Sequence, residues 1–350
     1  MENRGWNDSA KAKPAADIDI RCGSGLLSRE SRSWPPYGVV TTPSAWKAAR
    51  PHLTREPDGI VHAEWLDQRH QQELSRRLPD GIELVVGLGG GTALDDSKFC
   101  ALDRELPLIL VPTIVSTGAI IHGIFARWEG HRTVGEPGDW PWVDCEHVLV
   151  DSDVVLTAPP WLNTAGIGDI LCGYAGIAEW RWRSNRGIGP PFDESWAESL
   201  HAYQEKLAAD FEAALDPQGR LTGESVRLIA LALQERDGML AGAGGGSGDH
   251  PFWLALEDIN RRTWIHGEIV ALAALAIAWH AGEAPELLAG RLRRCQVRYA
   301  PEAVGVSRRE FDRGLEYVPR YMEERGIDSI LRREPVAGER ASELWDFLHS

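Results

Sequence analysis

Along the first half of the chain, short apolar runs alternate with segments of helical periodicity. Tyr37-Gly38-Val39-Val40-Thr41-Thr42 reads as a short buried strand, and Gly59-Ile60-Val61-His62 as a second. Ile82-Glu83-Leu84-Val85-Val86 is a third, running straight into glycines; Pro107-Leu108-Ile109-Leu110-Val111 is a fourth, stopped by Pro112; His147-Val148-Leu149-Val150-Asp151 comes later. Between the second and third, Gln68 to Arg77 carries the spacing of an amphipathic helix. Strands that are apolar throughout predict burial on both faces, and their alternation with helices predicts a parallel, doubly wound sheet.

Past about residue 160 the texture changes. Strand-like runs vanish, and residues 170–183, 194–215, 223–240, 251–262 and 266–279 all carry helical spacing, which predicts an all-helical second half. The glycine-rich stretch 241–248 predicts a loop between two of these helices. Residues 1–35 are polar without a sustained period and predict a poorly ordered tail ending near Pro35-Pro36. The division is therefore a tail over 1–35, an α/β domain over 36–160 and a helical domain over 161–350, in keeping with roughly 100–200 residues per domain.

Composition narrows the function. A net charge of −15 argues against nucleic acid and anionic membranes as partners. With no charged leader before an apolar signal core, and no uncharged run of about 18 residues, the chain reads as soluble. Five scattered cysteines without a CxxC pair read as reduced thiols, so a cytoplasmic protein is expected.

Two stretches carry chemistry. The third strand leads into Gly87-Leu88-Gly89-Gly90-Gly91-Thr92. Consecutive glycines before a helix let the backbone approach a ligand, and the helix N-terminus suits a pyrophosphate. The G-x-G-x-x-G fingerprint is not met, because its sixth position is Thr92; a sharp turn without a ligand is the alternative. In Ala165-Gly166-Ile167-Gly168-Asp169, Asp169 reads as the end of a glycine-flanked turn that opens an apolar helix. Downstream lie His250, in Ser247-Gly248-Asp249-His250, and His266, in His266-Gly267-Glu268. One carboxylate and two imidazoles suffice for a divalent metal with open positions. The two histidines are 16 residues apart, which on one straight helix is about 24 Å, whereas ligands of one ion lie within about 4 Å of each other. The chain must therefore turn back near residues 260–263, with Asp169 coming from a third helix. The alternative is that these are ordinary helix-end residues and an N-cap.

The motifs together resemble the superfamily of iron-containing alcohol dehydrogenases, glycerol dehydrogenases and glycerol-1-phosphate dehydrogenases. Gly89-Gly90-Gly91-Thr92-Ala93-Leu94-Asp95-Asp96-Ser97-Lys98 matches the family's GGGS-x-x-D-x-x-K, and Pro112-Thr113 through Ser116-Thr117 its PT…ST element. Ala158-Pro159 through Asp169 matches AP…AGIGD, and a histidine in a small-residue setting followed by HGE completes the order, from about residue 37 to 290. The branch most similar is that of the glycerol-1-phosphate dehydrogenases, whose SGSEH and DW elements resemble Gly246-Ser247-Gly248-Asp249-His250 and Glu179-Trp180. The resemblance implies a Rossmann-like domain binding NAD or NADP and a helical metal-binding domain, as in dehydroquinate synthase. It implies Asp169, His250 and His266 as ligands of one divalent metal, zinc first and iron or nickel as alternatives. Gly89, Gly90, Gly91, Asp95, Lys98, Thr113 and Ser116 would meet the cofactor. The implied activity is NAD(P)-linked interconversion of an alcohol and a carbonyl on a small polyol or polyol phosphate, with a homo-oligomer as the candidate assembly.

The chain departs from the family where substrate is contacted. Gly118 stands for an Asp, His122 for a small Ser and Trp161 for an Arg, so the pocket is altered; His122 becomes the candidate proton relay or substrate contact. Thr42 stands where NAD-preferring relatives carry Asp, which leaves room for NADP. Two rivals share the fold: a cyclase of the dehydroquinate-synthase type, which uses a lysine-rich pocket, and a non-catalytic descendant. Lysine is sparse after residue 98, which favours the dehydrogenase.

Overall fold

The computed structural model describes residues 13–125, 128–134, 141–240 and 247–349. The beginning of the expected tail, 1–12, and most of the expected glycine loop, 241–246, lie outside the described residues. The chain divides into two compact units: Met1–Asn163 with Ala214–Glu235, and Thr164–Ala213 with Arg236–Ser350.

In the first unit, strands β1 (Ile20–Gly23), β2 (Tyr37–Thr41), β3 (Gly59–His62), β4 (Leu84–Gly89), β5 (Leu108–Pro112) and β8 (His147–Asp151) form one sheet in the order β1-β8-β5-β4-β2-β3. Every neighbouring pair is parallel. A hairpin of β6 (Trp128–Glu129) and β7 (Arg132–Thr133) stands apart from it. Helices α1 (Leu26–Glu30), α2 (Pro43–Ala49), α3 (Gln68–Arg77), α4 (Gly91–Arg104) and α5 (Ser152–Val155) connect the strands. Strands β2, β4, β5 and β8 are buried at every position, as expected of central strands covered on both faces. Their side chains meet Leu27, Trp34 and Ala45 in the core.

Residues 20–30, expected in the tail, carry β1 and α1 instead. The Asp151 carboxylate at the end of β8 accepts the backbone N–H groups of Gly25, at 3.2 Å, and Leu27, at 2.8 Å. Those bonds fix α1 against the sheet while β1 pairs with β8. Strand β1 is half-buried at each position, so it lacks the apolar run that marks the central strands.

Every element among the described residues of the second unit is a helix. It contains most of α6 (Pro160–Leu171), then α7 (Gly173–Ser184), α8 (Glu194–Ala213), the end of α9 (Gly223–Leu240), α10 (Asp249–Asn260), α11 (His266–Ala281), α12 (Pro285–Arg294), α13 (Pro301–Val304), α14 (Arg308–Glu324), α15 (Ile330–Arg333) and α16 (Glu339–Leu348). Helix α11 is buried continuously from Gly267 to Ala278; a helix apolar all round becomes the centre of a bundle. No helix among the described residues is long and apolar enough to cross a membrane.

Two boundaries differ from the sequence reading. The stretch expected as one helix over 170–183 is the end of α6 and then α7, with the break at Cys172. Most of α9 belongs to the first unit, where Gln234 Nε2 donates to the carbonyls of Ala15 and Ile18, each at 2.9 Å. A division at residue 160 could not show that return.

Candidate metal centre and nucleotide loop

Asp169 lies inside α6, not at a turn. The glycine before it serves an approach: a Cβ on Gly168 would stand 2.3 Å from the carbonyl oxygen of Gly267. Bare backbone on both helices lets α6 and α11 come together beside Asp169 and His266. Histidine 250 is the second residue of α10, and His266 the first of α11. The rise from His250 to Asn260 is about 15 Å, and the five residues 261–265, extended, span about 16–18 Å. The chain thus turns at Arg261, whose φ is +53°, and runs back along α10. Buried Glu257 pins the return strand by accepting the Trp264 N–H at 3.0 Å.

The three residues meet. Asp169 Oδ1 lies 3.2 Å from His266 Nε2 and 3.6 Å from His250 Nε2, and the three ligating atoms all lie within 4.8 Å of one another. With bonds of about 2.1 Å, the edge of a tetrahedral site is about 3.4 Å, so the two carboxylate–imidazole spacings bracket what one ion requires. Two nitrogens and one oxygen suit zinc, iron or nickel with positions left open. The donor set therefore fits a divalent cation.

Three further groups, missed in the sequence, complete the centre. Asp249 Oδ2 accepts from His250 Nδ1 at 3.0 Å, which turns Nε2 toward Asp169, the nitrogen that can give its lone pair to a cation in exchange for its proton. Arg236 Nη1 lies 2.8 Å from Asp169 Oδ2. Trp253, one turn after His250 on α10, packs edge-on with ring centroids 4.4 Å from His266 and 6.1 Å from His250. An Asp next to a His, and an aromatic three residues on, are visible signals in hindsight; nothing local marks Arg236. Burial alone raises the pKa of Asp169, but the Arg236 guanidinium and the two imidazoles reverse this and hold it well below the usual carboxylate range. For His250 burial disfavours the charge, yet Asp249 and Asp169 prevail and push it up to about 9. Burial lowers His266.

Behind Asp249, the buried Glu179 carboxylate of the Glu179-Trp180 element accepts the N–H of Gly248, at 2.8 Å, and of Ile330, at 2.9 Å, together with the Ser329 hydroxyl. It anchors the backbone that delivers His250.

In the first unit the glycine loop joins β4 to α4, with Gly90 as an N-cap that supplies no side chain. A Cβ on Gly87 would meet Ser97 Oγ at 2.0 Å, and one on Gly89 would meet the Ala93 Cβ at 2.7 Å. These two glycines let helix and strand touch. At Gly91 the nearest atom is 3.4 Å away, and Thr92 is exposed, so the first turn of α4 opens outward. Lys98 is fully buried and donates to Asp95 Oδ1 at 2.9 Å, to the Ala119 carbonyl at 2.7 Å and to the Ile124 carbonyl at 3.4 Å. It ties the chain after β5 to α4. Thr113 donates its N–H to the Gly89 carbonyl at 2.9 Å, and Ser116 is buried nearby on the same segment. His122 Nδ1 is 3.3 Å from the Ile124 carbonyl. Gly118 begins a short 3-10 turn capped by Thr117, Trp161 lies in the first turn of α6, and Thr42 caps α2 by accepting from the Ala45 N–H.

The chain is thus a two-unit protein: a parallel-sheet unit with a glycine loop, and a helical unit in which two imidazoles and a carboxylate converge with spacings that could hold a cation. Residues 42–159 match the family described as iron-containing alcohol dehydrogenase. The chain is 27% identical over 279 residues to the glycerol-1-phosphate dehydrogenase [NAD(P)+] of Aeropyrum pernix, covering 78% of this chain and 76% of that one. It is 27% identical over 208 residues to the enzyme of the same name from Methanosphaerula palustris, covering 58% and 55%. The glycerol dehydrogenase structure from Schizosaccharomyces pombe superposes with a TM-score of 0.63 at 18% identity, covering 95% of this chain and 88% of that one. These matches bear out the resemblance to the superfamily of iron-containing alcohol dehydrogenases, glycerol dehydrogenases and glycerol-1-phosphate dehydrogenases, and with it the Rossmann-like plus all-α architecture.

Proposed function

We propose that the protein is a metal-dependent, NAD(P)-linked oxidoreductase interconverting an alcohol and a carbonyl on a polyol or polyol phosphate. The convergence of Asp169 Oδ1 with the Nε2 atoms of His250 and His266 carries the reading. These residues would hold a divalent cation, zinc by its fit to an N₂O donor set, which would supply Lewis acidity toward a substrate oxygen when bound, and NAD(P) would supply the hydride chemistry.

The chain's own residues do the rest. Asp169, His250 and His266 hold the cation; Asp249 fixes the tautomer of His250; Trp253 walls the histidines on one side and limits water there. The open first turn of α4, at Gly90, Gly91 and Thr92, receives the pyrophosphate of NAD(P). Thr113 and Ser116 line the cofactor site, and Asp95 with Lys98 shapes it from behind. In His122, an Nδ1–H donated to the Ile124 carbonyl leaves Nε2 as the basic nitrogen, fit for proton relay.

The curated relatives are named for glycerol 1-phosphate; the departures at Gly118, His122 and Trp161 keep the substrate here at the level of its class. Five free cysteines support a cytoplasmic location. The cyclase alternative is disfavoured because Lys206, the single lysine after Lys98, is exposed on α8 and paired with Asp210.

The test is zinc content together with NAD(P)H formation from glycerol 1-phosphate and from glycerol, in the wild-type chain and in Asp169→Asn. We expect about one zinc per chain, and loss of both zinc and turnover in the variant. Unchanged zinc and turnover in Asp169→Asn would sink the assignment. Binding of neither zinc nor nucleotide by the wild type would favour a non-catalytic descendant.

A further inference from the structure

The two oxygens of Asp169 have separate partners. Oδ1 faces both histidines, at 3.2 and 3.6 Å, whereas Oδ2 lies 2.8 Å from Arg236 Nη1. The carboxylate is fully buried, and the Arg236 side chain is 17% exposed. Arg236 comes from α9 and belongs to none of the motifs that carry the family resemblance.

From this division of labour we propose that Arg236 is a positioning residue of the metal centre, holding Asp169 so that Oδ1 alone is presented to the cation. The proposal rests on the assignment of Asp169, His250 and His266 as ligands.

A carboxylate unrestrained about its Cβ–Cγ bond can offer either oxygen, or both, to a cation. A charge-assisted bond to a guanidinium fixes its plane and engages one oxygen. Arginine suits this role because it stays charged at every working pH and its fork is rigid. The pairing thus persists alongside a cation on Oδ1. The guanidinium also repels a cation, and the fixed carboxylate plane outweighs that repulsion. Partners of this kind typically strengthen metal binding by 10–100-fold through ligand orientation, and we assign that sign here.

The experiment measures zinc affinity of the full chain by competition with a chromophoric chelator, for wild type, Arg236→Leu, Arg236→Lys and Asp169→Asn. Circular dichroism checks that helix content is retained. Arg236→Leu is expected to bind zinc about 10–100-fold more weakly, with partial recovery in Arg236→Lys. Cobalt(II) as a second probe should show weaker visible d–d absorption in Arg236→Leu, because the released Oδ2 raises the coordination number. Zinc binding in Arg236→Leu as tight as wild type or tighter, with an unchanged cobalt spectrum, overturns the proposal. If Arg236→Leu does not fold, Arg236→Lys and Arg236→Gln carry the same comparison: equal affinities in wild type and Arg236→Gln overturn it. Failure of the ligand assignment looks different: wild type then binds no zinc, or Asp169→Asn binds it as well as wild type does.

Discussion

Gly168→Ala probes how the metal centre is assembled. Gly168 lies within α6, and an added Cβ would meet the Gly267 oxygen at 2.3 Å, its carbonyl carbon at 3.0 Å and Val297 Cγ1 at 3.1 Å. A relaxed carbon–oxygen contact is about 3.3 Å, so α6 and α11 must separate by about 1 Å. The obstacle is backbone at the start of a buried helix, which cannot swing aside as a side chain could. Overpacking of this kind costs about 1–3 kcal/mol, and a backbone obstacle places it at the upper end. Alanine regains about 1 kcal/mol of helix propensity, leaving a net loss of about 2 kcal/mol. At about 2–4 °C per kcal/mol, the melting temperature falls by roughly 4–8 °C. The separation acts directly on the site: an Asp169–His266 spacing of 3.2 Å widened by about 1 Å exceeds the roughly 3.4 Å edge one ion requires. Zinc affinity should then drop at least about tenfold, in line with the cost of misplaced ligand-shell geometry. Thermal melts of the metal-free protein read the first effect, and chelator competition the second. If Gly168→Ala melts at or above the wild-type temperature and binds zinc equally well, helix propensity prevails and the glycine does not set this approach.

Two further outcomes follow from buried charges. Burial pushes Glu257 up to about 7 against the ordinary 4.5, outweighing the hydrogen bonds from Trp253 and Trp264. Between those values the folded chain holds a proton that the unfolded chain has lost. The Glu257 contribution to wild-type stability therefore falls as pH rises from about 4.5 to about 7, by roughly 3 kcal/mol in total, and is constant above that, whereas Glu257→Gln lacks this component; urea titrations of both at several pH values read it as the difference between the two curves, and parallel stability curves would refute it. Lys98→Met removes the ammonium from a fully buried side chain and strands the Asp95 carboxylate, with an expected loss of about 3–5 kcal/mol in denaturant unfolding without nucleotide. An unchanged unfolding curve with weaker NAD(P) binding would instead place the Lys98 ammonium on the cofactor, as the family resemblance implies.

The parallel sheet was legible because β2 and β8 coincide with apolar runs whose composition has one explanation, burial on both faces; β3 coincides with its run too, although it is an edge strand with Ile60 exposed. Strand β4 runs on to Gly89, past the apolar segment that ended at Val86, because the ladder to β5 continues through glycines that carry no hydropathy signal. Strand β1 escaped notice for a different reason. Ile18-Asp19-Ile20-Arg21 alternates, as an edge strand does, and its order depends on Asp151, far away in the chain. The turn between His250 and His266 followed from distance arithmetic, since helix rise and ligand spacing are fixed quantities. Arg236 had no such handle: its significance lies in its contact with Asp169, a residue remote in sequence.

Glycine is where the sequence was most easily misread, and the reason is general to this fold. Gly89-Gly90-Gly91 and Gly166-Ile167-Gly168 both look like turns or ligand loops when only backbone freedom is considered. The space around them divides the glycines differently. Gly87 and Gly89 face Ser97 and Ala93 of the following helix, and Gly168 faces a carbonyl of another helix, so each occupies a position that a side chain would force apart. Within Gly89-Gly90-Gly91, only Gly91 has ordinary room beyond it, at a helix start without a capping side chain. The first group fixes where elements touch, and hence where Asp169 and His266 stand; the last leaves N–H groups open to an anion. A glycine in this chain therefore reports a function by what lies opposite its missing Cβ, and on the proposed reading the metal centre needs Gly168 for packing as directly as it needs Asp169 for ligation.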